Sequence, residues 1–176
     1  MKSLTLLRHA KSDWTDAVQR DFDRPLNDRG RRAARTVGTY MRGEGLTFDT
    51  VIASPAQRVK DTLDELERGY GRSFDPVFDA SVYLASASTL LDLVHATDDA
   101  VERVLLVGHN PGLEELALEL ANEADSPLRH EVEVKYPTAT LAEIAFDVDA
   151  WSNANAGRLV RFVRPRDLDP SLGPDG

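Results

Sequence analysis

The sequence predicts an α/β fold: a three-layer α/β/α sandwich with a mostly parallel central sheet. Segments of strand-like pattern alternate with segments of helical pattern, as in proteins that place helices on both faces of a parallel sheet. Two strand-like segments, residues 4–7 and 104–107, are almost entirely apolar, which is typical of strands buried on both faces. Each leads into a histidine, His9 or His109. Because ligands of open α/β sheets bind at the carboxyl ends of the strands, we expect both histidines at one ligand-binding edge.

The first half of the chain predicts two helices separated by a strand. In order, the elements are a loop over residues 10–26, a helix from 28 to about 41, a strand at 48–53 and a helix from 55 to about 68. Asn27 is a suitable N-cap for the first of these helices. Ser54 followed by Pro55 is a common way to begin the second.

The second half predicts two more helices and the remaining strands. In order, these are a short strand at 76–78, a helix at 87–97, the strand at 104–107, a helix from 111 to about 123, and strands at 140–146 and 158–163. The last two strands are joined by a polar, turn-prone segment and predict an antiparallel hairpin at the edge of the sheet. We expect a single domain over residues 1–163 and a loose C-terminal tail over residues 164–176.

Composition excludes several classes of function. The net charge of −9 over 176 residues argues against nucleic-acid binding, which needs a basic surface. The absence of cysteine excludes a thiolate nucleophile and cysteine-ligated metals. We find neither a signal peptide nor an apolar stretch long enough for a membrane span, so a cytoplasmic protein is expected.

The predicted strand ends bring together groups that suit a phosphate. Arg8 and His9 follow the first strand, Ser54 follows the second with Arg58 just inside the next helix, and His109 follows the fourth. Helix N-termini after Ser54 and His109 would add backbone N–H donors. The charges of Arg8 and Arg58 nearly match the roughly −1.5 to −2 charge of a phosphoryl group. A two-histidine metal site is the rival interpretation, disfavoured because no carboxylate or third histidine adjoins either histidine.

The chemistry that this arrangement predicts is phosphoryl transfer without a metal or another cofactor. A neutral imidazole can attack phosphorus, and the covalent phosphohistidine divides one difficult displacement into two easier ones. Arginines stabilise the charge on the phosphoryl oxygens, which is the main requirement of such a site.

Four segments resemble the histidine phosphatase (phosphoglycerate mutase-like) superfamily. They are R-H-A-K-S from Arg8, L-N-D-R-G from Leu26, S-P-A-Q-R-V-K-D-T from Ser54 and G-H-N-P-G from Gly108. Within that superfamily, R-H-A-K-S-D-W, D-F-D-R-P-L-N and V-G-H-N-P-G are similar to the SixA-type phosphohistidine phosphatases.

The resemblance implies His9 as the nucleophile, with Arg8, Arg58 and His109 completing the phosphate pocket, and it implies that Ser12 contacts the phosphate. Two residues depart from the superfamily pattern. Ala10 replaces a glycine, and Asn110 follows the second histidine where the acid-phosphatase branch has a proton-donating aspartate. The general acid is therefore unassigned, with three candidates: Asp13, Asp79 and Glu114.

The resemblance to SixA implies a phosphohistidine on a protein as the substrate. Residues 69–85 are too few for the specificity domain that larger relatives insert after the second strand, so an open pocket is expected. A P–N bond also breaks more easily than a phosphate ester, which suits a site without a strong acid. Two alternatives remain: a phosphatase for a small phosphorylated metabolite, and a phosphate-binding adaptor without turnover.

Overall fold

The computed structural model describes residues 1–173 and consists of a central sheet covered by helices on both faces. Its strands and α-helices, in chain order, are β1 (Lys2–Arg8), α1 (Asp28–Gly43), β2 (Thr50–Ala53), α2 (Gln57–Tyr70), β3 (Val77–Phe78), α3 (Ala87–His95), β4 (Arg103–Gly108), α4 (Gly112–Leu120), α5 (Pro127–Val134), β5 (Leu141–Phe146), β6 (Arg158–Val163) and α6 (Pro165–Leu168).

The strands form one six-stranded sheet in the order β3-β2-β4-β1-β5-β6. Neighbours β3, β2, β4 and β1 are parallel, whereas β5 runs antiparallel to both β1 and β6. The predicted mostly parallel sheet and the antiparallel hairpin at its edge are therefore confirmed. In the register, Arg8 pairs with Gly108 and Ala53 with Val107, so β1, β4 and β2 end at the same level.

Successive side chains of the buried strands point to opposite faces of the sheet and form two separate apolar cores. In β4, Val104 and Leu106 face one apolar cluster, which also contains residues of α3, α4 and α5. Leu105 and Val107 face the other, which contains residues of α1 and α2. Because successive side chains of a strand point to opposite faces, an unbroken apolar run is what a strand between two helical layers requires. Within residues 1–173 no helix is long and apolar enough to cross a membrane.

Helix α1 begins as predicted and lies against the loop that follows β1. The side chain of Asn27 accepts a hydrogen bond from the backbone N–H of Gly30 at 2.8 Å. A Cβ atom at Gly30 would lie only 2.2 Å from the carbonyl oxygen of Lys11. Glycine at this position therefore allows the N-terminus of α1 to contact the backbone just beyond His9.

Several elements differ from the expectation: β2 begins at Thr50 and not at residue 48, and α3 ends at His95 and not at residue 97. Helix α2 begins at Gln57 and not at Pro55, with Ala56 in the N-cap position and no side-chain capping hydrogen bond. Helix α4 ends at Leu120, three residues before the predicted end. Helix α5 was not predicted, although Ser126 accepts a hydrogen bond from the N–H of Arg129 and is followed by a proline.

The segment that follows β6 also differs from the expected loose tail as far as Gly173. Pro165 and Leu172 are buried, and α6 contacts α1. Leu172 belongs to the same apolar cluster as α1 and α2. A single leucine without other apolar residues at a regular spacing gives no sequence pattern that would predict its burial. In the structure its burial holds the segment against the core. The remainder of the expected tail, residues 174–176, lies outside the described residues.

Candidate active site

The ends of β1, β2 and β4 meet at one cleft. The N–H of His9 donates to the carbonyl of Gly108 at 3.0 Å, and the N–H of Ser54 donates to the carbonyl of Val107 at 3.1 Å. Because β4 lies between β2 and β1, three segments that are far apart in sequence become neighbours. The cleft has a volume of about 450 Å³ and is lined by Arg8, His9, Lys11, Ser12, Trp14, Asp21, Arg24, Arg58, Leu84, His109, Asn110 and Thr138.

His9 lies at the base of this cleft with 8 % of its surface exposed. Its Nδ1 is 2.7 Å from the carbonyl oxygen of Ala10, and a carbonyl can only accept, so Nδ1 carries the proton and Nε2 carries the lone pair. Burial, together with the charges of nearby Arg58 and Arg8, lowers the pKa of His9 to about 3. The ring is therefore neutral at physiological pH.

Ala10, which stands in place of the superfamily glycine, is fully buried. Its N–H donates to Oγ1 of Thr62 at 2.9 Å, and that hydroxyl donates to the carbonyl of Arg58 at 2.6 Å. The Ala10 peptide is thus held by α2 while its carbonyl orients His9. The additional methyl group does not prevent this arrangement.

His109 lies beside His9, with a distance of 5.3 Å between ring centroids. Its Nδ1 is 3.3 Å from Nη2 of Arg58, and its Nε2 is 2.8 Å from Oγ of Ser54. A guanidinium has only donors, so Nδ1 accepts and the ring proton lies on Nε2, which donates to Ser54. Burial, with the Arg58 charge next, lowers the pKa of His109 to about 4. The two histidines are therefore both neutral, but with their protons on opposite nitrogens.

Arg8 and Arg58 line the cleft together with the histidine pair and contribute positive charge to it. Nη1 of Arg8 donates to the carbonyl of Tyr136 at 3.0 Å. Nη1 of Arg58 donates to the carbonyl of Asp21 at 2.8 Å. Each guanidinium also has a buried Nε–H for which the described part of the chain provides no hydrogen-bond acceptor. Unpaired buried donors are costly, and an acceptor on a bound anion would satisfy them.

A third arginine, Arg24, lies in the same cleft and was not predicted. Its Nε donates to Oγ of Ser12 at 3.0 Å, and its Nη1 lies 2.7 Å from Oδ1 of Asp21. The other oxygen of Asp21 lies 3.1 Å from Nη2 of Arg58. One carboxylate therefore joins two of the three arginines.

Asp21 also accepts a hydrogen bond from the hydroxyl of Tyr83 at 2.5 Å. Burial alone would raise the pKa of Asp21, but the hydrogen bonds from Tyr83 and Arg24 and the charge of Arg58 outweigh it and lower the pKa to about 2. Asp21 and Arg24 belong to the loop predicted at residues 10–26. The D-F-D-R-P-L-N segment was part of the family resemblance, and this was the one signal that could have identified them.

The three carboxylates considered as general acids lie outside the set that lines the cleft. Asp13 accepts a hydrogen bond from the N–H of Thr15, and Asp79 accepts from Ser81. Glu114 lies in the first turn of α4, and its charge acts on Arg8. Among the described residues that line the cleft, Asp21 is the single carboxylate, and its low pKa keeps it ionised.

The N-terminus of α4 contributes less than expected. The N–H of Glu114 donates to the side chain of Asn110 at 3.1 Å, and those of Leu113 and Glu115 donate to backbone carbonyls. These three donors are already satisfied, so the helix offers an anion its dipole and not these N–H groups.

The remaining histidines lie elsewhere, as expected. Nε2 of His95 is 3.1 Å from the carbonyl oxygen of Ala154, and His130 lies near Glu133 on the surface. Over residues 1–173, no three or more histidine, cysteine, aspartate or glutamate side chains cluster in a way that could hold a metal ion.

Comparison with known proteins agrees with this geometry. Residues 4–79 match the model of the histidine phosphatase superfamily, branch 1. A solved SixA structure from Agrobacterium tumefaciens is 30 % identical, with a TM-score of 0.79 over 93 % of this chain and 98 % of that one. The chain belongs to the histidine phosphatase superfamily.

Two further relatives extend the match. SixA from Nakamurella multipartitia is 28 % identical, with a TM-score of 0.80 over 93 % of this chain and 96 % of that one. An uncharacterized protein from Mycobacterium tuberculosis is 31 % identical over 91 % of this chain and its own full length. The protein is SixA-like in sequence and in fold, and the family match and its SixA relatives support a phosphatase activity that uses a histidine.

Proposed function

We propose that the protein removes phosphoryl groups from phosphohistidine residues of proteins, through a covalent phosphohistidine intermediate on His9 and without a metal. The observation that carries this proposal is the orientation of His9. Its Nδ1–H is directed to the carbonyl of Ala10 at 2.7 Å, which leaves the Nε2 lone pair for attack between the arginines of the cleft. A neutral ring with its proton on the remote nitrogen is the form that can act as a nucleophile.

In the first step, Nε2 of His9 bonds to phosphorus and the P–N bond of the substrate breaks. The electron pair of that bond stays on the leaving nitrogen, and Nδ1 of His9 keeps its proton. In the second step, water bonds to phosphorus and the P–Nε2 bond breaks. The products are neutral His9 and dihydrogen phosphate, so both steps balance without a separate proton donor when the substrate ring enters with its second nitrogen protonated.

Charge in the cleft supports metal independence. Arg8, Arg24, Arg58 and Lys11 bring four positive charges to the residues that line the cleft, and Asp21 removes one. The remaining positive charge is sufficient to offset the roughly −1.5 to −2 charge of a phosphoryl group. The arginines would therefore stabilise the phosphoryl oxygens during transfer, which is the task that a divalent ion performs in other phosphoryl-transfer enzymes.

The ionised state of the carboxylate in the cleft favours a substrate with a P–N bond over a phosphate ester. An alkoxide leaving group needs a proton from an acid, and the carboxylate that lines the cleft, Asp21, has a pKa of about 2 and stays ionised. The imidazole of phosphohistidine leaves as a neutral ring when its other nitrogen already carries a proton. The names of the SixA relatives from Agrobacterium tumefaciens and Nakamurella multipartitia propose the same activity for those proteins.

Rapid-quench labelling tests the proposal. The enzyme is mixed with a protein that carries radiolabelled phosphohistidine, and the reaction is stopped within milliseconds. We expect label on the wild-type enzyme that is labile in acid and stable in base, and none on a folded His9→Ala variant. Acid-stable label on Ser12 or Ser54 would refute the assignment of His9. Faster turnover of sugar phosphates than of the phosphohistidine protein would instead assign the protein to small metabolites.

A further inference from the structure

Two large apolar side chains are exposed at the cleft. Trp14 comes from the loop after β1 and Leu84 from the segment before α3, and both line the cleft that contains His9. Their exposed fractions are 72 % and 57 %. Exposed apolar residues are common on protein surfaces, but these two lie at the cleft that holds the candidate nucleophile.

Trp14 is held in place by a charged partner. The guanidinium carbon of Arg24 lies 3.5 Å from the centroid of the indole ring. Arg24 is itself buried and fixed by its hydrogen bond to Ser12 and its ion pair with Asp21. The indole is therefore oriented by the phosphate-binding side chains, while most of its surface is open to solvent.

Leu84 has a strained backbone conformation. Its φ angle is +50°, in the left-handed region that leucine rarely adopts. The residues on either side impose this conformation: Tyr83 donates to Asp21, and the carbonyl of Ala85 lies against Gly112, where a Cβ would come within 2.1 Å. These contacts hold a leucine that is more than half exposed at the cleft, where its side chain is available for binding.

We propose that Trp14 and Leu84 bind the imidazole ring of the phosphohistidine substrate and thereby determine specificity for the leaving group. The proposal rests on the proposed function. In phosphohistidine the ring is bonded directly to phosphorus, so a phosphoryl group held by the arginines places the ring a few ångströms away. The ring then lies at the mouth of the cleft, which is the part that Trp14 and Leu84 line. The ring is flat and apolar on its faces.

Protonation of that ring strengthens the case for Trp14. The imidazole leaves as a neutral molecule only if its second nitrogen is protonated beforehand, and the bound ring then carries a positive charge. Among side chains, the indole face attracts a flat cation most strongly. The arginines bind the anionic part of the substrate, and the apolar mouth binds the ring that leaves.

A pair of substrates with the same bond type isolates this contact. A phosphohistidine peptide and phosphoramidate both contain a P–N bond, but phosphoramidate has no ring. The variants are Trp14→Leu, Trp14→Phe and Leu84→Gly. The matched control is Val18→Ala, in the same loop as Trp14, 93 % exposed and outside the residues that line the cleft.

We expect Trp14→Leu and Leu84→Gly to reduce kcat/KM for the peptide about tenfold, while the phosphoramidate value changes less than about twofold. Trp14→Phe should keep most of the wild-type kcat/KM for the peptide, because phenylalanine retains an aromatic face. Leu84→Gly should melt no lower than the wild type, because glycine accepts a positive φ. Val18→Ala should behave as the wild type with both substrates.

Equal losses on both substrates would show that the two residues only support the phosphate site, and unchanged peptide kinetics would show that they bind no ring. Either outcome overturns this inference and leaves the proposed function intact. A wild-type enzyme that hydrolyses phosphoramidate but not the phosphohistidine peptide would refute the proposed substrate itself, and with it this inference.

Discussion

The two buried histidines predict that the protein loses stability in mild acid. Both must be neutral in the folded state, because their pKa values are lowered from 6.5 to about 3 for His9 and about 4 for His109, chiefly by burial. In the unfolded chain they titrate near 6.5. Between these values the unfolded state binds more protons than the folded state, so the free energy of unfolding falls as the pH falls. The stabilisation is complete above pH 6.5 and is lost progressively below it.

The magnitude follows from linkage. On lowering the pH from 7 to 5.5, each histidine costs about 1.2 kcal/mol, and the two together cost about 2.5 kcal/mol. This amount is a substantial part of the 5–15 kcal/mol that is typical of a folded domain. The assay is urea denaturation at both pH values, followed by tryptophan fluorescence.

Three variants identify the source of the effect. His9→Asn and His109→Asn should each lose about half of the pH dependence, because asparagine does not titrate. His130→Asn, at an exposed position beside Glu133, should keep all of it. The reasoning is refuted if either of the first two variants keeps the full dependence of the wild type, or if the third loses it.

Three further outcomes are expected. Arg58→Ala should lower kcat/KM at least 100-fold, which corresponds to about 3 kcal/mol of transition-state stabilisation. Arg58→Lys should recover little of this loss, because an ammonium group cannot replace the guanidinium that contacts both Asp21 and His109. Near wild-type rates of Arg58→Lys in steady-state assays would show that Arg58 acts only as a distant charge. Activity should survive excess EDTA, and a loss that one added metal restores would favour the metal-site alternative. Gly30→Ala should destabilise the protein by about 2 kcal/mol or more, because the methyl would meet the carbonyl of Lys11 at 2.2 Å; an unchanged melting temperature would contradict the close contact.

The parts of the fold that were predicted are those with a strong local pattern. The apolar runs before His9 and His109, and the cap at Asn27, each express a single physical requirement within a few residues. The same patterns placed Arg8, His9, Arg58 and His109 at one edge of the sheet, and the structure brings all four into one cleft.

The parts that were missed depend on contacts between distant residues. Asp21 and Arg24 lie in an irregular loop, and their importance appears only when α2 brings Arg58 within 3.1 Å of the same carboxylate. Ser54 has the sequence features of an N-cap, yet α2 begins only at Gln57 and the hydroxyl oxygen of Ser54 accepts a hydrogen bond from the distant His109. Helix α5 buries little more than Val132, too little to give a periodic signal.

The register of β4 has a consequence for how the protein can fail. A one-residue slip of this strand would turn His109 to the opposite face of the sheet and carry it away from both Ser54 and His9, since neighbouring side chains alternate. The slip would also exchange the residues that face the two cores, so it is opposed along the whole strand. Chains that pair correctly are therefore the chains that can turn over substrate. Specific activity measured after refolding therefore reports the fraction of molecules in which β4 is correctly paired. Circular dichroism would not distinguish these molecules from compact forms with a misaligned strand.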